Sequence, residues 1–330
     1  MKKILIIRFS SLGDIVATTS FVESVKKQIP DSKLYFLTKD AYEDVLLNNP
    51  NIETIYSIGK KKLGEVIKEL RDAKIDVVFD LHNNLRSRIV SLIVGKKIYR
   101  YKKDIFSRRL LVLTKKWFGK NKTVIQKYAD AYTDSKLDVL NTKIYLTKHE
   151  KKDISQKFDL THAKKYIGIN TSAKWQTKKL PTYKYTELVS DLIDNGYNVI
   201  LFGNNNSIGK NQKILTDIDI LKETSVINTT GILSIRELCA MISFCDMLVT
   251  VDSAPMHIAQ ALDVPVVAIF GSTVKEFGFW MPRQNDTIIE RKISCRPCTL
   301  HGKNICPKKH FKCMNDVDVQ DIADAIKGKK

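Results

Sequence analysis

No stretch of about 18 uncharged apolar residues occurs in the sequence, which excludes a membrane-spanning helix. The two glycine-rich phosphate signatures, GxGxxG and GxxxxGK followed by Ser or Thr, are also missing. Their absence argues against a nicotinamide enzyme and against a P-loop NTPase. Fourteen Gly and eight Pro in 330 residues are too few for a linker-rich or collagen-like chain. The apolar run near the start, Ile4 to Ile7, stops at Arg8 and falls short of the ~7 residues of a signal-peptide core, so a cytoplasmic protein is expected. Acid is scarce in one place: between Arg86 and Lys127, Asp104 alone stands against 14 Lys and Arg.

That segment supplies 13 of the formal net charge of +19. Phe106, Leu110, Leu111, Trp117 and Phe118 are interleaved with the cations, which favours an interaction surface over a merely solvated one. Such a field attracts an anionic substrate, an anionic membrane surface or nucleic acid. Hydrophobic residues at 43% and charged residues at 28% describe a globular chain, and the length suits about two domains of ~150 residues.

Short apolar runs alternate with helical spacing. Strands are predicted at Lys3–Phe9, Lys33–Thr38, Thr54–Ser57 and Asp76–Asp80, with helices at Asp14–Gln28, Tyr42–Leu47 and Leu63–Leu70 between them. Lys122–Leu140 and Lys148–Phe158 read as polar helical connections. The alternation restarts with strands at Tyr166–Thr171, Asn198–Phe202, Val226–Asn228, Met247–Val251 and Val264–Phe270. The second set of helices is Pro181–Asn195, Ile208–Leu221, Ser234–Phe244, Pro255–Leu262 and Val317–Lys327. Two parallel α/β halves follow, with a ligand cleft expected between them, beyond the carboxyl ends of the strands.

Two loops carry candidate chemistry. The first strand runs into Arg8-Phe9-Ser10-Ser11-Leu12-Gly13-Asp14, which presents a carboxylate beside a helix start; Asp14 is either a helix cap or a reactive group. The strand ending at Val251 runs into Asp252-Ser253-Ala254-Pro255-Met256-His257. Asp252 or Ser253 can cap the next helix, Pro255 fits its first turn, and the free amides suit a phosphate or pyrophosphate. The segment from Thr171 to Lys178 and the loop Gly271-Ser272-Thr273 end neighbouring strands. Asp217/Asp219 and Asp316/Asp318 are DxD pairs that do not end strands, and read as solvated surface. Cys239 and Cys245 read as core. Cys295, Cys298, Cys306 and Cys313 form C-x2-C-x7-C-x6-C, in which a structural tetrahedral zinc, reduced thiols and labile disulfides are all open readings.

RFSSLGDIV at the start, DLHNNLRS at 80–87, KKLP at 178–181, LFGNN at 201–205, the block at 230–262 that contains TVDSAPMH, VPVVAIFG at 264–271 and the late cysteines resemble one family in order along nearly the whole chain. This is the ADP-heptose:lipopolysaccharide heptosyltransferase family, glycosyltransferase family nine. The resemblance implies an α/β fold of the GT-B type, two Rossmann-like parallel-sheet domains facing each other across a cleft. It implies an acceptor-binding domain at 1–158 and a nucleotide-sugar domain at 159–330, with the last helix free to pack back on the first domain.

The implied reaction is an inverting, metal-independent transfer of heptose from ADP-L-glycero-D-manno-heptose to the lipopolysaccharide inner core. Kdo-lipid A or a heptosylated core would be the acceptor, at the inner face of the inner membrane. Carried over by position, Asp14 is the general base. Thr171, Ser172, Lys178, Asp252, Ser253, Ala254 and His257 take the donor. Ser10, Ser11, Gly13, Arg86 and Arg100 take the acceptor or the anionic membrane surface. No catalytic cofactor is expected, and the chain is expected to be a monomer that binds no nucleic acid. Ala254 stands where the family usually has Gly, Leu180 replaces a common Trp, and Asn204–Ser207 lacks an acid often used for ribose. The alternatives are a related transferase with another nucleotide sugar or, on charge alone, a nucleic-acid-binding module, which no helix-turn-helix, RRM or zinc-finger pattern supports.

Overall fold

The computed structural model describes residues 1–119, 122–161 and 163–328. The chain runs β1 (Lys3–Ile7), α1 (Leu12–Gln28), β2 (Lys33–Lys39), α2 (Asp40–Glu43), β3 (Thr54–Ile58), α3 (Leu63–Asp72), β4 (Val77–Asp80), α4 (Leu85–Val94), β5 (Lys97–Arg100), α5 (Ile105–Thr114) and α6 (Val124–Ala129). It continues with α7 (Lys148–Lys157), β6 (Tyr166–Asn170), α8 (Thr182–Asp194), β7 (Asn198–Phe202), α9 (Ile208–Asp217), β8 (Val226–Asn228), α10 (Ile235–Ile242), β9 (Met247–Val251), α11 (Ala254–Ala261), β10 (Val266–Phe270), β11 (Thr287–Glu290), α12 (Lys312–Asn315) and α13 (Val319–Lys327).

Two compact units result: Met1–Lys103 with Lys122–Thr147, and Asp104–Asn121 with Lys148–Lys330. The first holds a five-stranded sheet in the order β3-β2-β1-β4-β5, the second a six-stranded sheet in the order β11-β10-β9-β6-β7-β8. Every strand pair is parallel. Parallel central strands are covered on both faces, which is why KILII and MLVTV are continuous apolar runs rather than alternating ones. Strand order reverses between β1 and β4 in the first unit and between β6 and β9 in the second. Ligands of open α/β sheets bind at such reversals, beyond the strands' carboxyl ends.

The expected boundary at 158/159 is corrected. Helix α7 belongs to the second unit because Glu150 receives a two-pronged pair from Arg236 on α10, at 2.7 and 2.8 Å, and Lys157 pairs with Glu237 at 2.6 Å. Helix α5 joins the same unit through Leu111, which packs with Val274 and Phe277. The last helix packs on its own unit: Ile322 and Ile326 lie in the core formed with α8 and the second sheet, and Lys184 Nζ donates to the Val317 carbonyl.

The helix expected over 122–140 is short, covering only Val124–Ala129. The chain beyond it runs irregularly across α1, whose hydroxyls take up its backbone groups. Leu140 N–H donates to Ser24, Lys143 N–H donates to Thr19, and Ser20 donates to the Leu140 carbonyl. That cover explains why α1 is buried almost all round.

Candidate active site

The reversal point of the first sheet lies at the ends of β1 and β4. Ser11 is the N-cap of α1 and Asp14 its third residue, so Asp14 does not hold the cap position itself. Instead its Oδ2 accepts from the Ser11 N–H at 3.1 Å and from the Ser11 hydroxyl at 2.7 Å. The same oxygen faces Arg8 Nη2 at 2.8 Å. All three contacts converge on Oδ2. Burial pushes the Asp14 carboxyl up, but Arg8 and the Ser11 hydrogen bonds outweigh it and hold the group below its ordinary value. A carboxylate is therefore present at neutral pH, with Oδ1 outside these contacts.

Arg8 is itself fixed. Its Nε donates to the Ser10 carbonyl and its Nη1 to the Leu81 carbonyl, both at 2.7 Å, and its guanidinium lies over the Tyr128 ring. The Leu81 bond ties the β1 loop to the β4 loop. That second loop is organised by Asp80, fully buried, which accepts from the His82 and Asn83 N–H groups and from the Ser87 hydroxyl. His82 lies against Phe9, with the two rings tilted at 60° and 5.3 Å between centroids. Burial first, then the charges of Arg8 and Lys103, push its imidazole down to about 4, so it is neutral at pH 7. Gly13 is buried at the second helical position, and Ser10 and Ser11 line the loop. Arg100 ends β5, with its Nε buried and making no hydrogen bond among the described residues. Arg86 is exposed on α4, away from the buried loop contacts.

The second unit repeats the arrangement at β6 and β9. Lys178 Nζ meets Asp252 Oδ2 at 2.5 Å and donates to the Asp252 carbonyl at 3.1 Å. The Thr273 hydroxyl, from the loop after β10, donates to the same carboxylate oxygen at 2.6 Å. Burial pushes the Asp252 carboxyl up; Lys178, then the Thr273 bond and His257, more than reverse this. Ser253 is the N-cap of α11, Ala254 its first residue and Pro255 its second; His257 is buried in the same turn. Asn170, the last residue of β6, donates to Thr250, to Ser253 and to the Ser172 carbonyl.

Beside this loop opens a cavity of about 430 Å³, bounded by Asn170, Ser172, the Phe202–Asn206 turn, Leu233 and Leu238, with Pro255 of α11 at one side. Three successive asparagines, Asn204 to Asn206, stand on the wall where an acid was missing from the sequence. Gly203 admits no side chain, since a Cβ there would lie 2.9 Å from Ser207 and Thr230 atoms.

One expectation fails on burial. Thr171 is fully buried, and its hydroxyl donates to Asn211 Oδ1 at 2.6 Å, so it braces β6 against α9 instead of facing a phosphate. Its neighbour Ser172 does line the cavity. The DxD pairs are spent on local structure: Asp217 pairs with Lys213, and Asp318 caps α13. Leu180 is buried in the core of the second unit.

Of the late cysteines, Cys313 is buried on α12 and the other three are half-buried; all are free thiols. Burial, then the nearby sulfurs, push Cys298 up and Cys313 to about 12. Cys295 Sγ lies 3.8 Å from His310 Nε2. Among the described residues no group of three or more His, Cys, Asp or Glu side chains is arranged to hold a metal ion. Sequence reading assigns no role to Arg8, His82 or Asn170: Arg8 and His82 lie inside the RFSSLGDIV and DLHNNLRS blocks, but only their contacts show what they hold.

Residues 63–309 match the family described as glycosyltransferase family 9 (heptosyltransferase). The chain belongs to glycosyltransferase family 9. This family-9 chain is 28% identical to lipooligosaccharide heptosyltransferase 2 of Campylobacter jejuni over 324 residues, 96% of this chain and 94% of that one. Its fold is shared with Escherichia coli ADP-heptose LPS heptosyltransferase II, at a TM-score of 0.80 and 21% identity, covering 100% and 98% of the two chains. It is also shared with an E. coli heptosyltransferase holding ADP-2-deoxy-2-fluoro heptose, at a TM-score of 0.69 and 15% identity, covering 99% and 100%. The fold class of this family-9 chain is thus α/β of the GT-B type. No helix among the described residues is long and apolar enough to cross a membrane.

Proposed function

We propose that this chain moves a heptose from ADP-L-glycero-D-manno-heptose to a Kdo or heptose residue of the lipopolysaccharide inner core, with inversion and without a catalytic metal. The observation that carries the reading is Asp14. It is an ionised carboxylate pinned through one oxygen at a sheet reversal point, with its second oxygen outside that network. A carboxylate so held takes the acceptor hydroxyl's proton while that oxygen attacks the anomeric carbon. The bond from that carbon to the diphosphate oxygen breaks, its electron pair leaves with ADP, and attack opposite the leaving group inverts the centre.

The second unit supports the nucleotide half of the reading. The α11 amino terminus offers backbone amides to an anion. Lys178, Ser172 and Ser253 add a cation and hydroxyls, and His257 supports the same turn. The 430 Å³ cavity has the size and mixed lining of a nucleoside site. The asparagines at its wall can accept from and donate to ribose hydroxyls in place of an acid. In the first unit, Arg8 and Lys103 give the Asp14 region a cationic surround for an anionic acceptor, worked at the cytoplasmic face of the inner membrane.

Turnover with ADP-heptose and a panel of truncated core acceptors tests the reading. ADP release that depends on both substrates, with a β-configured donor giving an α-linked product or the reverse, is the expected result. Release with other nucleotide sugars but not ADP-heptose would replace the donor assignment.

A further inference from the structure

Helix α4 turns an apolar stripe toward solvent. Its inner face is Ser87, Val90, Ser91 and Val94, all buried. At 3.6 residues per turn, Leu85, Ile89, Leu92 and Ile93 fall in one arc on the opposite side. They are 77%, 46%, 68% and 47% exposed. Arg88 borders that arc on one edge and Arg86 on the other, both exposed. A helix at the surface of a water-soluble protein ordinarily reverses this, with the apolar stripe inward and the charges outward. Apolar side chains flanked by arginines are the arrangement of a helix lying in a bilayer interface, where long cationic stems reach back to lipid phosphates.

Charge selects the occupant. No acid occurs from Leu81 through Lys103. Lys96 is paired with Asp76 and Lys97 with Asp134, while Arg88 bonds only the neutral amide of Asn83 and Arg86 forms no ion pair among the described residues. The arc is therefore rimmed by uncompensated positive charge. A second copy of the chain would bring the same cations against themselves. An anionic lipid surface satisfies both parts, the arc and its rim.

We propose that the outward face of α4 docks on an anionic phospholipid surface, with Leu85, Ile89, Leu92 and Ile93 in the interface and Arg86 and Arg88 at the phosphates. The proposal rests on the functional reading above for the identity of that surface, since a lipid-linked acceptor is presented there. The next helix in the chain, α5, shows the same device: Ile105, Phe106 and Leu113 are exposed around Arg109.

Co-sedimentation with vesicles of phosphatidylcholine alone, and of equimolar phosphatidylcholine and phosphatidylglycerol, tests it. The chain is expected to pellet with the mixed vesicles only, and less at high salt. The triple variant Leu85→Gln, Ile89→Gln, Leu92→Gln removes only exposed side chains and keeps the fold, and it should lower the partition coefficient about tenfold or more. A tryptophan placed by Leu92→Trp should shift its emission to the blue on mixed vesicles, whereas Tyr183→Trp, at an exposed position of α8, should not. Unchanged partition of the triple variant, or self-association of the wild type that the triple variant abolishes, overturns the proposal. A delipidated soluble acceptor separates the two readings. No turnover on any acceptor sinks the functional reading and leaves the vesicle result to stand by itself; turnover without vesicle binding sinks the lipid proposal alone.

Discussion

Each sheet reversal point carries a half-buried aspartate held by one cation, and the two cations differ in kind. Arg8 spreads its fork over Ser10, Leu81 and Asp14, so it belongs to the frame and cannot leave. Among the described residues the Lys178 ammonium bonds Asp252, through the carboxylate and the carbonyl, on a flexible stem ending in a point charge. A diphosphate arriving at the α11 amides can draw that ammonium away while Thr273 keeps hold of Asp252. Under the proposed function, the rigid guanidinium would orient a carboxylate that acts as base, and the movable ammonium would be free to meet a ligand's charge.

Asp14→Asn attacks the first half of this contrast most directly. The amide keeps shape and can still accept from Ser11 but cannot take a proton, so kcat should fall about 10²–10⁴-fold with ADP affinity little changed, and Tm should fall as well because the buried Arg8 guanidinium loses its counter-ion. Near-wild-type kcat would reduce Asp14 to a capping residue. Arg8→Gln comes next. It leaves a buried carboxylate without its cation, and urea unfolding should show a loss of about 3–5 kcal/mol, largely recovered in the Arg8→Gln, Asp14→Asn double variant. Equal losses in the single and double variants would mean that Arg8 acts through Leu81 and Tyr128 instead.

Lys178→Gln probes the other unit. Calorimetry should show ADP affinity reduced by roughly 10- to 100-fold, whereas Arg8→Gln leaves it unaltered. Full ADP affinity without the ammonium would make the Lys178 pair as structural as the Arg8 pair, and the contrast would collapse. The smallest effect concerns His82. Its folded-state value of about 4 lies below the ordinary 6.5, so the unfolded chain takes up a proton that the folded chain refuses. Stability is whole above pH 6.5 and declines as pH falls toward 4, by roughly 1 kcal/mol after solvent screening. Asp14 and Asp252 are also held low, so they contribute nothing to this window and lose their stabilisation only at more acid pH. His82→Gln should flatten the slope between pH 6.5 and 4.5; an unaltered slope would place the titration elsewhere.

Much of this architecture can be read from residue pattern alone, because central parallel strands are apolar on both faces, as in KILII, NVILF, MLVTV and VVAIF. Edge strands are different. KIYR and TIIE each pair on one side only and carry charge, so β5 and β11 pass for loop. The Asp14 and Asp252 loops stand out because strand, turn residues and helix start are contiguous. Their partners do not. Arg8 reads as an interruption of an apolar run, and His82 gains meaning only when β4 is laid beside β1. Thr171 was misjudged for the same reason: a hydroxyl at a strand end can face a ligand or a neighbouring helix, and Asn211, forty positions later, decides which.

Helix α5 has a consequence for how the molecule is made. It is synthesised in the middle of the first unit's sequence, yet Leu111 packs with Val274 and Phe277, about 160 residues further along. At ribosomal rates of 5–20 residues per second, those partners emerge roughly 8–30 s later. During that interval a complete set of first-unit strands can assemble while an apolar, cationic helix waits without its mate. A nascent chain stalled before Val274 should therefore be a better chaperone client than one released at full length.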